Sequence, residues 1–282
     1  MLRSGTHLHG ERVRLKMSVE ISEKAIIGKN AEFGNNVKIA PFAIIEDNVV
    51  IDDYTTIGSH AYIGSHTKIG KNCRIFNGAS VGTIAQDLKY RDEDAFLFIG
   101  DEVIIREFVT INKGTSANNG ITKIGNNCAL LAYCHVAHDC EVGDFFVASN
   151  NLAMAGHTTI GRNVICGGNV SIHQFTHIGD YSFIGANSYV SMDIVPYSLI
   201  GTADGETFVA GHNKVGLERN GFSADDISKI KKIYKLLFFR ELSVSEAKKQ
   251  ILNEVGQNTI SQRVLDFIEK SQRGLLRVRS KE

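Results

Sequence analysis

The chain has 282 residues, and its 31 Lys and Arg balance 31 Asp and Glu, so net charge gives no reason to expect a nucleic acid partner. No apolar run approaches the ~18–20 residues of a membrane span. The N-terminal MLRSGTHLHGERVRLK has basic residues but no apolar core, so it does not read as a secretory signal.

Residues 1–17 read as a disordered prefix or the product of an upstream start codon, with Met17 opening the folded part. A large apolar residue then recurs every sixth position, at Ile21, Ile27, Phe33, Ile39, Ile45, Ile51, Ile57, Ile63, Ile69, Ile75 and Val81. After an irregular stretch the rhythm returns at Ile124 and holds through Val190. A period of six fits neither a helix nor a simple strand; it implies a short unit stacked many times. Three hexads make a coil of about 18 residues, with a parallel sheet on each face of a prism and coils ~4.8 Å apart. Each coil covers the apolar residues of the next, so no isolated repeat is stable. The glycine that often follows the apolar residue, as in Ile57-Gly58 and Ile160-Gly161, is expected to permit the sharp turn. The prism is expected over residues 18–200.

Residues 83–98 are rich in charge, and residues 113–122 in Gly, Asn, Thr and Ser. Both read as loops extruded from the coil, the kind of insertion that often builds a solenoid's binding face. The second shifts the phase, because Ile99 and Ile124 lie 25 residues apart. After Pro196 the repeat stops, and residues 201–282 read as a linker and a small helical domain, with 197–221 irregular. Ser223, three before Asp226, is a plausible N-cap, followed by a helical stripe of Ile227, Ile230, Ile233, Tyr234 and Leu237. Ser243-x-x-Glu246 has the capping-box form, and Val264, Leu265, Phe267 and Ile268 mark a third helix.

Cys128, Cys134 and Cys140 are six apart, which is the repeat itself, in the slot that elsewhere holds Ala43, Ala61 or Thr158. They read as small buried fillers. No CxxC pair suggests a zinc ribbon, and reduced thiols suit a cytoplasmic protein.

Four histidines need another explanation. Folded at 18 residues per coil, His157 falls over position 139 and His173 over position 137, beside His135 and His138. All four then share one edge of the prism within roughly 10 Å along its axis, together with Asp139, Asn150 and Gln174. A solvated edge, a metal site and a general base all fit such a cluster. Adjacent residues in an extended segment point opposite ways, so the spacing leaves open whether Asp139 meets His138.

The run from Leu131 to Cys140, LAYCHVAHDC, resembles the catalytic segment of the acyl-carrier-protein–UDP-N-acetylglucosamine O-acyltransferases, which open lipid A biosynthesis. Gln86-Asp87-Leu88-Lys89-Tyr90, Met154-Ala155-Gly156-His157 and Ile172-His173-Gln174-Phe175 agree in order and spacing. Weaker matches follow at Asp193-Ile-Val-Pro196-Tyr197, Asn213, Gly216-Leu217-x-Arg219 and Arg273-Gly274-Leu275, so the likeness spans residues 18–277. It implies an all-β left-handed parallel β-helix of hexapeptide repeats with a small α-helical C-terminal domain. The general crossover rule alone favours the other hand.

The resemblance also implies a cytoplasmic homotrimer, with active sites between neighbouring prisms. Direct transfer of an (R)-3-hydroxyacyl chain from acyl carrier protein to the sugar 3-hydroxyl is implied, with no acyl-enzyme. His138 would be the base, Asp139 its orienting partner and Gly156 the oxyanion donor. Gln86, Asp87, Lys89, His135, His157, His173 and Gln174 would bind sugar or acyl chain, and Asn213 and Arg219 the nucleotide. No metal or other cofactor is implied beyond the phosphopantetheine of the carrier protein. Asn112, Val215, Asn220 and the single proline of Ile194-Val-Pro196-Tyr197 depart from better-known members, which leaves the 3-hydroxyl and 3-amino acceptors both open. Ala186 and Met192 are candidates for limiting acyl length.

Three other readings compete. A zinc-dependent carbonic anhydrase on the same prism would use the histidines but not the Gln86–Tyr90 motif or the C-terminal helices. A non-catalytic trimeric scaffold would be expected to lose His138. A later N-acyltransferase of the same pathway would carry a separate N-terminal uridine-binding domain.

Overall fold

The computed structural model describes residues 19–279, so the expectations for residues 1–17 lie outside the described residues. Very short strands pass in turn to three parallel sheets, and each pairs with the strand one coil away: Glu20 lies beside Lys38 and Ile21 beside Ile39. The result is a left-handed parallel β-helix. Its axis is filled by the apolar residue of each hexad; Ile45, Ile51, Ile57, Ile63 and Ile69 are all at most 2% exposed.

The turn is made differently from the expectation. A residue with positive φ recurs three places after each inward side chain, at Asn30, Asn36, Phe42, Asn48, Tyr54, His60, His66 and Asn72. These non-glycine residues, not the glycines, carry the left-handed corner, where asparagine is the least costly choice. The glycine after the apolar residue is there because the coils stack closely. A Cβ on Gly28 would lie 2.5 Å from the Asp47 backbone nitrogen of the next coil, and one on Gly58 2.8 Å from that of Asn77.

Cys73, Cys128, Cys134 and Cys140 occupy the small slot behind each corner and are buried, with free thiols. Their thiols donate to carbonyls one coil up, as from Cys73 to Gly100 O (3.1 Å) and from Cys140 to Ala155 O (3.3 Å). Burial pushes the Cys73 and Cys128 thiols up to about 11 and Cys140 up to about 12.

Two coils are longer than the rest. Arg74 pairs with Ile104, thirty residues on, and Thr110 with His135, twenty-five on. The extra chain is extruded at the two expected loops, but pairing resumes earlier, at Phe96 and Ile121. These residues contribute a full four-residue ladder, which the charge and glycine content around them concealed.

Beyond Pro196 the chain is not irregular throughout. Ser198–Ala203 and Glu206–His212 form an antiparallel hairpin that extends the first sheet. Asp204 and Gly205 both have positive φ, the signature of a tight Asp-Gly hairpin turn. Helices α1 (Lys214–Arg219), α2 (Ala224–Phe238), α3 (Val244–Glu254) and α4 (Thr259–Lys270) follow. Ser223 and Ser243 cap α2 and α3 with reciprocal bonds to Asp226 and Glu246, as their spacing predicts. Tyr234 locks α2 to the prism through Pro196 O (2.8 Å) and Ser198 Oγ (2.7 Å). The motifs at Asp193 and Arg273, distant in sequence, meet here: the Asp193 carboxylate accepts bonds from Ser271 Oγ (2.7 Å) and from the N–H groups of Gln272 (3.1 Å) and Arg273 (3.2 Å).

Candidate active site

The second sheet's corner carries the histidine cluster. His135 opens on a strand paired to Thr110 below and Ala153 above. Its ring Nδ1 lies 2.8 Å from Thr110 Oγ1. Burial, and secondarily the neighbouring His138, lowers its pKa.

His138 and Asp139 do converge. Asp139 is the corner residue of its hexad, with φ 58°. That left-handed backbone turns its carboxylate back toward the preceding side chain, which extended chain cannot do. His138 Nδ1 sits 2.8 Å from Asp139 Oδ2. The carboxylate is buried, and both of its oxygens are held by Thr115: the N–H donates to Oδ1 (2.8 Å) and the hydroxyl to Oδ2 (2.6 Å). The Asp139 N–H donates to Thr122 Oγ1 (2.8 Å).

The next coil presses on the imidazole. A Cβ on Gly156 would lie 2.7 Å from His138 Cε1 and 2.8 Å from Nε2, so only glycine leaves the ring its place. The Gly156 N–H is free to meet a ligand. At some equivalent corner positions an acid one coil up caps this group, as Asp47 does for Lys29 (2.7 Å), Asp144 for Asn126 (2.8 Å) and Asp180 for Arg162 (2.9 Å). Above Gly156 the position is Gln174, and among the described residues the Gly156 N–H meets no acceptor.

His157 is a corner residue too, with φ 58°. It stacks on Phe175 at 4.6 Å, stands edge-on to His138 at 5.2 Å and brings Nε2 to 3.7 Å from Asp139 Oδ2. Burial lowers its pKa, against a smaller opposing pull from Asp139. His173 Nδ1 is satisfied by Gln174 O at 3.0 Å.

Gln86, His135, His138, Gly156, His173 and Gln174 line one groove of about 500 Å³. Asp87 stands near enough to His157 to influence its charge, and accepts a bond from Lys89 N (2.9 Å) at the exposed tip of the loop. The chain does not bring Asn213 or Arg219 to this groove. Asn213 is the N-cap of α1 and also donates to Tyr181 O (2.9 Å), while Arg219 is exposed in the last turn of that helix. Sequence reasoning missed Thr115 and Thr122; the phase shift of their loop, directly before the histidine run, was the available signal.

His138, Asp139 and His157 bring one donor atom each within 4.8 Å of one another, a metal-like spacing. The carboxylate oxygen involved is already engaged by the Thr115 hydroxyl and by His138 at hydrogen-bond distance. The arrangement is that of a hydrogen-bonded acid–base pair.

The region 193–276 matches the family model described as Udp N-acetylglucosamine O-acyltransferase, domain 2, and residues 30–77 contain two overlapping matches to the bacterial transferase hexapeptide model. An acyl-[acyl-carrier-protein]–UDP-N-acetylglucosamine O-acyltransferase of Stenotrophomonas maltophilia is 44% identical over 204 residues, 72% of this chain and 77% of that protein. One from Burkholderia mallei is 42% identical over 209 residues, 72% of this chain and 79% of that protein. The solved UDP-N-acetylglucosamine acyltransferase of Bacteroides fragilis superposes with a TM-score of 0.88 at 40% identity, covering 91% of this chain and 99% of its own.

Proposed function

The chain belongs to the acyl-[acyl-carrier-protein]–UDP-N-acetylglucosamine O-acyltransferases, and on that premise we propose that it transfers an (R)-3-hydroxyacyl chain from acyl carrier protein to the 3-hydroxyl of UDP-N-acetylglucosamine, opening lipid A biosynthesis, with His138 as general base. The observation that carries this reading is the pair of His138, held by a buried carboxylate, and Gly156, whose N–H is left uncapped.

The reaction follows from that geometry. Asp139 accepts a hydrogen bond from His138 Nδ1–H, which leaves the Nε2 lone pair to take the proton of the sugar hydroxyl. The oxygen attacks the thioester carbonyl and a C–O bond forms. The carbonyl oxygen becomes an anion, for which the Gly156 N–H is a fixed donor; one such donor typically contributes about 3–4 kcal/mol. The intermediate collapses, the C–S bond breaks, and the proton on Nε2 passes to the phosphopantetheine sulfur. Holding both substrates in register supplies a further share of the rate. The cysteines are buried with raised pKa and play no nucleophilic part.

Gln86, His135, His173 and Gln174 are assigned to the groove wall, with Asp87, Lys89 and His157 at its margin. Asn213 and Arg219 are assigned to the nucleotide, Arg219 by its capacity for paired bonds to a diphosphate. This assignment goes with a homotrimer, in which a neighbour's helices would supply what this chain's own do not bring to the groove. The protein is placed in the cytoplasm, where the carrier protein and nucleotide sugar are available, with no resident metal or cofactor. Among the described residues no helix is long and apolar enough to cross a membrane.

The test is an assay of purified protein with a series of hydroxyacyl carrier proteins and either UDP-N-acetylglucosamine or its 3-amino analogue. Ester formation on the former supports the reading. Turnover confined to the amine would replace the acceptor, and no transfer to either would overturn the function.

A further inference from the structure

The loop over residues 113–122 grips Asp139 from both of its ends. Thr115 donates its N–H to Oδ1 (2.8 Å) and its hydroxyl to Oδ2 (2.6 Å), and Thr122 accepts the Asp139 N–H (2.8 Å). Thr115 is only 4% exposed, and its own carbonyl is held by the N–H groups of Asn118 (3.2 Å) and Gly120 (3.1 Å). The same loop is tied to the loop over residues 83–98. Lys113 N donates to Thr83 O (2.8 Å), Phe96 N to Gly120 O (2.8 Å), and Ser116 N to the Glu93 carboxylate.

The two oxygens of Asp139 therefore have different partners. Oδ1 takes a main-chain N–H, while Oδ2 takes the Thr115 hydroxyl and faces His138 Nδ1. Both oxygens of this carboxylate thus act as acceptors, Oδ1 from an N–H and Oδ2 from an O–H. The proton between Asp139 and His138 then belongs to Nδ1, and the lone pair belongs to Nε2, on the side of Gly156. The charged and titratable groups around this carboxylate are His138 and His157 in direct reach, His135 and Asp87 beyond them, and Lys123, Glu141 and His177 along the cavity on its other side. Apart from His138, the partner being positioned, none of these reaches hydrogen-bond distance of Oδ2.

We propose that Thr115 is a positioning residue of the base, its hydroxyl fixing the Asp139 rotamer that sets the tautomer of His138. The proposal rests on the reading of His138 as that base.

Thr115→Val keeps the shape and the backbone N–H and removes only the hydroxyl; Thr115→Ser restores it. In the full-length enzyme, Thr115→Val is expected to lower kcat on the order of ten- to a hundredfold, the worth of one hydrogen bond to a charged group. Neither KM changes much. Thr115→Ser returns kcat toward wild type. A Val variant with wild-type kcat overturns the proposal, as does equal impairment of Val and Ser. If the Val variant does not accumulate folded, Thr115→Ala is compared with Thr115→Ser by the same criteria. His138→Ala is the control: wild-type turnover there sinks the base itself, whereas an inert His138→Ala beside an unchanged Thr115→Val removes only the role of Thr115.

Discussion

Gly156→Ala separates the placement of the base from every other element of the site. The residue has an ordinary backbone conformation, so alanine introduces no left-handed strain. Its N–H, the proposed oxyanion donor, is retained. The new methyl would lie 2.7 Å from His138 Cε1 and 2.8 Å from Nε2. Carbon contacts are comfortable only at about 3.5–4.0 Å, so the imidazole must retreat by roughly 1 Å. It is the side chain that yields, because the neighbouring atoms are ring atoms and not backbone. A misplacement of that size costs on the order of 100-fold in rate. The assay is kcat with both substrates saturating, alongside the thermal midpoint, which is expected to stay close to wild type. A folded Gly156→Ala enzyme with undiminished kcat would show that His138 does not act from where it stands.

Asp139→Asn keeps the shape but presents an amide where an acceptor is needed, which favours the wrong His138 tautomer; kcat is expected to fall on the order of 10³–10⁴-fold, as in a serine-protease triad, and a loss under tenfold would contradict the orienting role. Burial holds the pKa of His135 and His157 below the ordinary 6.5. The unfolded chain therefore binds more protons at these sites, so their contribution to stability is intact above pH 6.5 and is lost as the pH falls below it. Thermal midpoints from pH 7 to 5 should decline less in His157→Gln than in wild type, and identical slopes would refute the assignment. The buried thiols, with Cys140 pushed up to about 12, should resist alkylation at pH 8 until the protein unfolds. Rapid labelling of the native protein would show that they are not core fillers.

Much of the fold was legible because the hexad repeat acts on one variable, the direction of the side chain. The inward isoleucines, the small slot of Cys128 and Cys134, and the serine caps at Ser223 and Ser243 all follow from local rules. The glycines were misread for a physical reason: close approach to the coil above, as at Gly28 and Asp47, is a contact between residues nineteen apart and leaves no local trace. The hairpin around Asp204-Gly205 had a turn signal, but the loss of the hexad rhythm masked it. At the site, counting eighteen residues per coil gathered His135, His138, His157 and His173 correctly onto one edge. It could not show that the left-handed φ of Asp139 aims its carboxylate at His138. Nor could it reveal Thr115, which reaches Asp139 only because a loop interrupts the count. Asn213 and Arg219 stand off the groove, a separation that the linear motif matches could not show.

His138→Ala removes the proposed base and nothing else from the groove. Single-turnover transfer from hydroxyacyl carrier protein to UDP-N-acetylglucosamine is measured for this variant, with its assembly state checked against wild type. The expected outcome is an assembled protein that still binds the nucleotide sugar but transfers no acyl chain above background. An assembled His138→Ala protein that acylates the sugar at the wild-type rate would contradict it.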